Sequence, residues 1–254
     1  MAKVAPQRPV EIVAHGGAGD HPGNSRAAME AGLALGADRL ECDIQPSLDG
    51  DLVLVHDDRI AIPGGASVEV ANLSTSRLRT LLDGLLTLDE LVELAAGRAP
   101  LMLDVKGAGY DRDLIAAIRR HGLAAESSVS TTSALTIRRL RRAFPTMRLG
   151  LSTGHWATGA PTRFWRLLVA GGLRVLLPAP LDRALALAGA TEVMLHHALA
   201  TPRLVSGVQA GGRRVNLWTI DRPRDIRRAL AFGVDGIITN RPDVVREIVA
   251  TEGW

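Results

Sequence analysis

Six residues have the types and spacing to do chemistry together: His15, Glu41, Asp43, His56, Asp104 and Lys106. In the stretch RLECDIQPSLDGDLVLVHDD (39–58), Leu40, Cys42 and Ile44 alternate with Glu41, Asp43 and Gln45. A strand turns alternate side chains to opposite faces, so Glu41 and Asp43 point the same way. Neighbouring carboxylates repel, and burying them is costly without compensation. A divalent cation is the usual compensation. The bland alternative is an edge strand with one solvated face. Ser47-Leu48-Asp49-Gly50 signals a turn, and the apolar run Leu52 to Val55 ends at His56-Asp57-Asp58.

Asp104, on a neighbouring predicted strand, adds a third carboxylate. Oxygen-only ligands suit one hard cation, Mg²⁺ or Ca²⁺, rather than zinc. Lys106 lies two residues on, on the same strand face, where its ammonium can hold an anion such as phosphate. His15 and His56 suit acid/base work, because imidazole titrates near neutral pH. The set describes a site that cleaves a phosphodiester. The cation and the lysine neutralise phosphoryl oxygens. One histidine takes a proton from the attacking oxygen, and the other protonates the leaving alkoxide.

The elements that must position these groups repeat as strand, then helix. Strands are predicted over 10–15, 39–45, 100–107, 127–132, 147–153, 191–197, 213–221 and 234–240, with a further extended piece at 51–56. Helices are predicted over 24–36, 86–97, 111–122, 133–144, 201–212, 222–233 and 242–252, and within 160–190. Residues 57–76 read as an irregular excursion. Eight such units imply a parallel sheet closed as an α/β (βα)₈ TIM barrel. With 254 residues, 46% hydrophobic and no low-complexity linker, residues 1–254 read as one domain. Barrel chemistry sits at the C-terminal ends of the strands. There the sequence puts His15, Glu41 and Asp43, Asp104 and Lys106, His196 and His197, Trp218, Thr219 and Asp221, and Asn240.

Composition narrows the function classes. The formal charge is only +3, and Arg carries nearly all the positive charge, since Lys3 and Lys106 are the two lysines. No basic stripe interleaves with aromatics, so no nucleic-acid partner is expected. The single cysteine, Cys42, excludes an internal disulfide and a cysteine zinc cluster, and reads as a small buried apolar residue. The first residues lack a long apolar run, and nowhere do 18 apolar residues follow one another. A cytoplasmic protein without stable membrane insertion, acting on a small-molecule phosphodiester, is the expectation.

At these residues the sequence resembles the glycerophosphodiester phosphodiesterases. That family opens with His-Arg-Gly and Pro-Glu-Asn-Thr, followed by Glu-x-Asp and His-Asp. The counterparts are His15-Gly16-Gly17, Pro22-Gly23-Asn24-Ser25, Glu41-Cys42-Asp43 and His56-Asp57. The resemblance runs on through LTLDEL (86–91), LDVKG (103–107), VNLWTID (215–221) and GVDGIITNRPD (233–243). It implies a TIM barrel and metal-dependent hydrolysis of glycerophosphodiesters to glycerol 3-phosphate and an alcohol. It also implies catalytic His15 and His56, and metal ligands Glu41 and Asp43. Four positions depart from the pattern. The Arg after the first His is Gly16, the Glu before Asn24 is Gly23, and the Asn expected two residues after Thr219 is Asp221. The third metal carboxylate, commonly Glu, is Asp104; with Lys106 it looks more like the related sphingomyelinase D-type phospholipases.

Two rival functions follow from these departures. One is a lyase or phospholipase D-like activity on lysophospholipids that leaves a cyclic phosphate, which the Asp104 and Lys106 pair favours. The other is a degenerate barrel that binds a phosphorylated ligand without cleaving it, suggested by Gly16 and Gly23. Retention of both histidines and all three acids argues against the binder. Among the remaining residues, Asp57 reads as an orienter of His56 or a turn cap. Trp218 reads as barrel packing or substrate contact. His196 and His197 alternate faces, so at most one reaches the mouth. His21, His121 and His155 read as loop or surface residues, and the arginines of TIRRLRRAF (136–144) as a solvated helix face.

Overall fold

Alternating apolar residues build strands here, and short polar caps start most of the helices between them. The computed structural model describes residues 9–153 and 178–254. In chain order these form β1 (Glu11–Ala14), α1 (Arg26–Ala34), β2 (Arg39–Pro46), β3 (Leu52–Leu54), β4 (Arg59–Ala61), β5 (Ser67–Glu69), α2 (Thr75–Leu81) and α3 (Leu88–Ala95). There follow β6 (Leu101–Val105), α4 (Asp111–Arg120), β7 (Ser128–Thr131), α5 (Ala134–Ala143), β8 (Arg148–Ser152) and α6 (Pro178–Ala188). The chain closes with β9 (Glu192–His196), α7 (Pro202–Ala210), β10 (Arg214–Trp218), α8 (Pro223–Ala231), β11 (Gly236–Thr239) and α9 (Pro242–Glu252). His155 and the 160–177 part of the predicted helical stretch lie outside the described residues.

The strands pair in the order β1-β2-β6-β7-β8-β9-β10-β11, and β11 returns to β1, every neighbour parallel. This is the expected closed eight-stranded barrel. β3 runs antiparallel along the end of β2. Ser25, Ser74, Thr87, Ser133 and Thr201 cap their helices by accepting a backbone N–H, and Thr87 with Glu90 forms a full capping box. α1 starts two residues later than predicted, because Asn24 has φ +66° and Ser25 takes the cap. The excursion is more ordered than expected: it holds a two-stranded β4–β5 hairpin, and α2 begins at its last two residues. Among the described residues, no helix is long and apolar enough to cross a membrane.

The apolar face of each strand packs outward against the helices. Leu40, Cys42 and Ile44 of β2 are fully buried there with Ile12, Leu103, Val129, Leu149 and Val193. Burial of side chains of this size stabilises by about 1.5–3 kcal/mol each. The other face points into the barrel, so β2 is no solvated edge strand: Arg39, Glu41, Asp43 and Gln45 are all buried. Toward the N-terminal end, Arg39, Arg148 and Arg214 converge on Glu11, and Arg148 also reaches Glu192 at 2.8 Å. Above this layer lies a small apolar cluster of Val13, Met102, Met194 and Ile238, with Trp218 against it. The acids of the predicted site occupy the C-terminal end. The apolar layer keeps the two charged layers apart.

The floor network makes a prediction about pH. Burial would push the Glu11 carboxyl up, but hydrogen bonds from Arg148 and the charges of Arg39, Arg148 and Arg214 outweigh it, and its pKa falls from 4.5 to about 2. A depressed carboxyl contributes stability that is complete above the unfolded value and fades as pH falls through the folded one. A shift of this size corresponds to on the order of 3 kcal/mol. Resistance to urea unfolding should therefore weaken from pH 4.5 down toward 2, and Glu11→Gln should lower stability at neutral pH while flattening that slope. An unchanged slope in the variant would show that other groups govern acid unfolding.

Candidate active site

β1, β2, β3 and β6 deliver the predicted residues to one end of the barrel. A cavity of about 400 Å³ opens there, lined by His15, Glu41, Asp43, His56, Asp104 and Lys106. Met102, Val105, Met194, Trp218 and Ile238 give it an apolar floor and wall, and Ser130, Thr132 and Ser152 add hydroxyls. All six residues whose types and spacing suggest chemistry line this one space, and Trp218 joins them in its wall. His196 shares the inward register of Trp218 and meets its ring edge-to-face, with centroids 5.1 Å apart. His197 instead starts a short turn beside Asp225 and Arg228. His21 is exposed and His121 pairs with Asp89, both away from the cavity lining. Of the arginines on α5, Arg138, Arg139 and Arg142 are exposed as expected, while Arg141 binds the carbonyls of Gly189, Pro145 and Met147.

The register places Asp43 beside Asp104 on adjacent strands, with Glu41 two residues earlier on the same face. One oxygen from each of the three lies within 4.8 Å of the others. The scaffold fixes each acid by its second oxygen. Gly16 N–H donates to Glu41 Oε2 at 2.7 Å, Asn24 Nδ2 to Asp43 Oδ2 at 2.7 Å, and Ser130 Oγ to Asp104 Oδ1 at 2.6 Å. Lys106 Nζ lies 2.9 Å from Asp43 Oδ1 and 2.5 Å from Asp104 Oδ2. Burial, then the charges of Asp43 and Asp104, push the Glu41 carboxyl well above its ordinary range. Burial would lower the Lys106 pKa, but the charges of Asp104 and Asp43 win and hold the ammonium above its usual range. Three converging carboxylates, one of them uncompensated enough to favour its proton, are a donor set that fits a hard divalent cation.

The two histidines are held differently. His15 Nδ1 lies 3.2 Å from Asn240 Oδ1. Asn240 Nδ2 in turn donates to Asp221 Oδ2 at 2.9 Å, and Asp221 Oδ1 accepts from the Asn240 N–H and from Thr239 Oγ1. A carboxylate only accepts, so the Asn240 amide must aim its oxygen at His15. His15 then carries its proton on Nδ1 and keeps the lone pair on Nε2. His56 Nδ1 pairs with Asp57 Oδ1 at 2.7 Å, on a half-exposed loop. Asp57 thereby orients the His56 ring.

Sequence reading missed the side chains that hold these groups still. Gln45 Nε2 donates to the carbonyls of Val55 and Asp57, at 2.8 and 2.9 Å, and so pins the loop on both sides of His56. Its signal was available: it continues the buried Glu41, Asp43 face of β2. Asn24 grips Asp43 twice, because its Oδ1 also accepts the Asp43 N–H at 2.9 Å, and its own N–H donates to Gly16 O at 2.8 Å. Gly17 has φ +91°, and a Cβ there would lie 2.3 Å from the Ala28 backbone, so only glycine lets the His15 loop lie on α1. The departures Gly16 and Gly23 face each other: a Cβ on Gly16 would sit 3.5 Å from Gly23 Cα. Gln45→Ala is expected to lower kcat by about tenfold to a hundredfold through misplacement of His56, with cation affinity intact. Wild-type turnover in that variant would remove Gln45 from this role.

The fold and site together describe a parallel barrel whose C-terminal cavity is lined by three clustered carboxylates and two histidines. Residues 15–244 match the model of the glycerophosphoryl diester phosphodiesterase family, and the chain belongs to that family. It is similar to a glycerophosphodiester phosphodiesterase of Caldanaerobacter subterraneus, 26% identical over 95% of this chain and 98% of the relative. It is 30% identical to a Mycobacterium tuberculosis protein named probable glycerophosphodiester phosphodiesterase 2, over 96% of this chain and 95% of the relative. Among solved structures, an Oleispira antarctica phosphodiesterase in complex with the product sn-glycerol-3-phosphate shares the fold, with a TM-score of 0.76 and 19% identity over 96% of this chain and 97% of that one.

Proposed function

We propose that this chain hydrolyses glycerophosphodiesters to glycerol 3-phosphate and an alcohol, using one divalent cation held by Glu41, Asp43 and Asp104. The observation that carries this reading is that both imidazoles and the acidic trio line a single cavity at the C-terminal mouth of the barrel. A bound Mg²⁺ or Ca²⁺ would neutralise developing charge on the phosphoryl oxygens. Lys106 contributes a second positive charge, and the Trp218 side packs against the organic part of the substrate. His15 Nε2 takes the proton from the attacking oxygen, because the Asn240 and Asp221 chain keeps its lone pair there. The bond from phosphorus to the leaving oxygen breaks as His56, oriented by Asp57, gives that oxygen a proton.

A panel of glycerophosphodiesters assayed with Mg²⁺, Ca²⁺ or Mn²⁺ and with EDTA, beside Glu41→Ala, tests the proposal. Metal-dependent release of glycerol 3-phosphate, lost with EDTA and in the variant, is the expected result. Release that survives both treatments would remove the cation from the reaction. Absence of turnover on the whole panel would sink the substrate class. A second reading is attack by a hydroxyl of the substrate itself, leaving a cyclic phosphate, and the close Asp104 and Lys106 pair favours it. Mass spectrometry of the end product separates the two. Function in the cytoplasm as a single domain, without nucleic acid as a partner, fits the same picture.

A further inference from the structure

Each carboxylate of the cluster commits one oxygen to the scaffold, through Gly16, Asn24 and Ser130. The oxygens left over on the two aspartates, Asp43 Oδ1 and Asp104 Oδ2, are the ones the Lys106 ammonium holds. A hard cation needs the same oxygens at shorter range. Two cations that close repel strongly where water is sparse. We infer that Lys106 is an exchangeable counter-ion: a divalent cation takes Asp43 and Asp104 from its ammonium, and the released ammonium turns into the cavity as the anchor for the substrate phosphate.

The local structure permits that movement and limits it to the side chain. The Lys106 N–H donates to Ile44 O at 3.2 Å, and its carbonyl accepts from Tyr110 Oη at 2.6 Å, so the backbone is fixed at both ends of the residue. The flexible stem carries three donors on a compact charge. Its side chain is 26% exposed and lines the cavity, so the swing leads into the space where a phosphate would sit. The exchange makes cation and phosphate binding cooperative. The same cationic group serves the acids before loading and the phosphate afterwards, so either ligand must raise the affinity for the other. The inference rests on the cation reading of the trio and not on turnover.

The test uses the whole chain and needs no substrate. Lys3 and Lys106 are the two lysines, so a protein isotope-labelled at lysine Cε gives two side-chain signals, assigned with Lys106→Arg. Saturating Mg²⁺ or Ca²⁺ should move the Lys106 signal to the position of a solvated lysine and raise its reactivity toward an acylating reagent. In calorimetry, Lys106→Met should bind Mg²⁺ at least about tenfold tighter than the wild type, within the usual range for coupled sites. A Lys106 signal unmoved at saturating cation overturns the exchange, even if the variant binds tighter, because tighter binding alone could reflect charge removal. Weaker binding in Lys106→Met overturns it too. Calorimetric silence in both proteins would overturn the cation reading itself, which a turnover assay with EDTA would register separately.

Discussion

His15→Ala is expected to cut kcat/KM for a glycerophosphodiester by about a hundredfold to ten-thousandfold, the range a positioned acid or base supplies. Cation affinity should stay as it is, because His15 is not among the carboxylates of the cluster. The size of the effect follows from how the ring is held. Asp221 accepts three hydrogen bonds, two of them from Asn240, and the Asn240 amide therefore has one orientation toward His15. That orientation selects the tautomer with the lone pair on Nε2, the state a general base requires. Asn240→Ala should cost less, roughly tenfold, since the ring remains and only its tautomer and angle are released. Comparison of kcat/KM with calorimetric cation affinity in the two variants checks the scheme. Turnover within tenfold of wild type in His15→Ala, or loss of cation binding, would refute the assignment of the base.

Much of this site was legible because its chemistry is periodic. Glu41 and Asp43 share a face for the same reason that Leu40, Cys42 and Ile44 share the other, and the structure keeps that division. Periodicity says which residues share a face but not which face is wet. The same alternation in Glu11, Arg39, Arg148, Glu192 and Arg214 reads as solvent contact until the barrel closes around it. Closure is a long-range fact: Glu11 meets Arg148 at 2.8 Å across 137 positions of chain. Gln45, Asn24 and Ser130 escaped notice for a related reason. Each acts on a partner in another element, and a lone amide or hydroxyl gives no sign of what it will face. The excursion after His56 hid its hairpin because its strands are three residues long and its turn is rich in glycine.

Asp43→Asn should lower Mg²⁺ affinity by about a thousandfold and abolish turnover at ordinary cation concentrations, while the chain stays folded. Two opposing effects decide the sign. At about 4 Å and an effective dielectric near 20, unit charges interact by about 4 kcal/mol, and a unit charge with a divalent ion by about twice that. Removing the Asp43 charge loosens the competing Lys106 ammonium, which favours cation binding by the smaller amount. It also removes attraction for the cation itself, which is the larger. The difference of about 4 kcal/mol gives the expected factor. The fold should survive, because the amide oxygen of the new Asn can still accept from Asn24 Nδ2, and the Asn24 bond to the backbone N–H at this position is untouched. Asp43→Asn and Lys106→Met therefore change cation affinity in opposite directions from adjacent atoms. Calorimetry on the two variants, with circular dichroism to confirm folding, reads both signs. An Asp43→Asn protein that binds Mg²⁺ as the wild type does would place the cation away from Asp43.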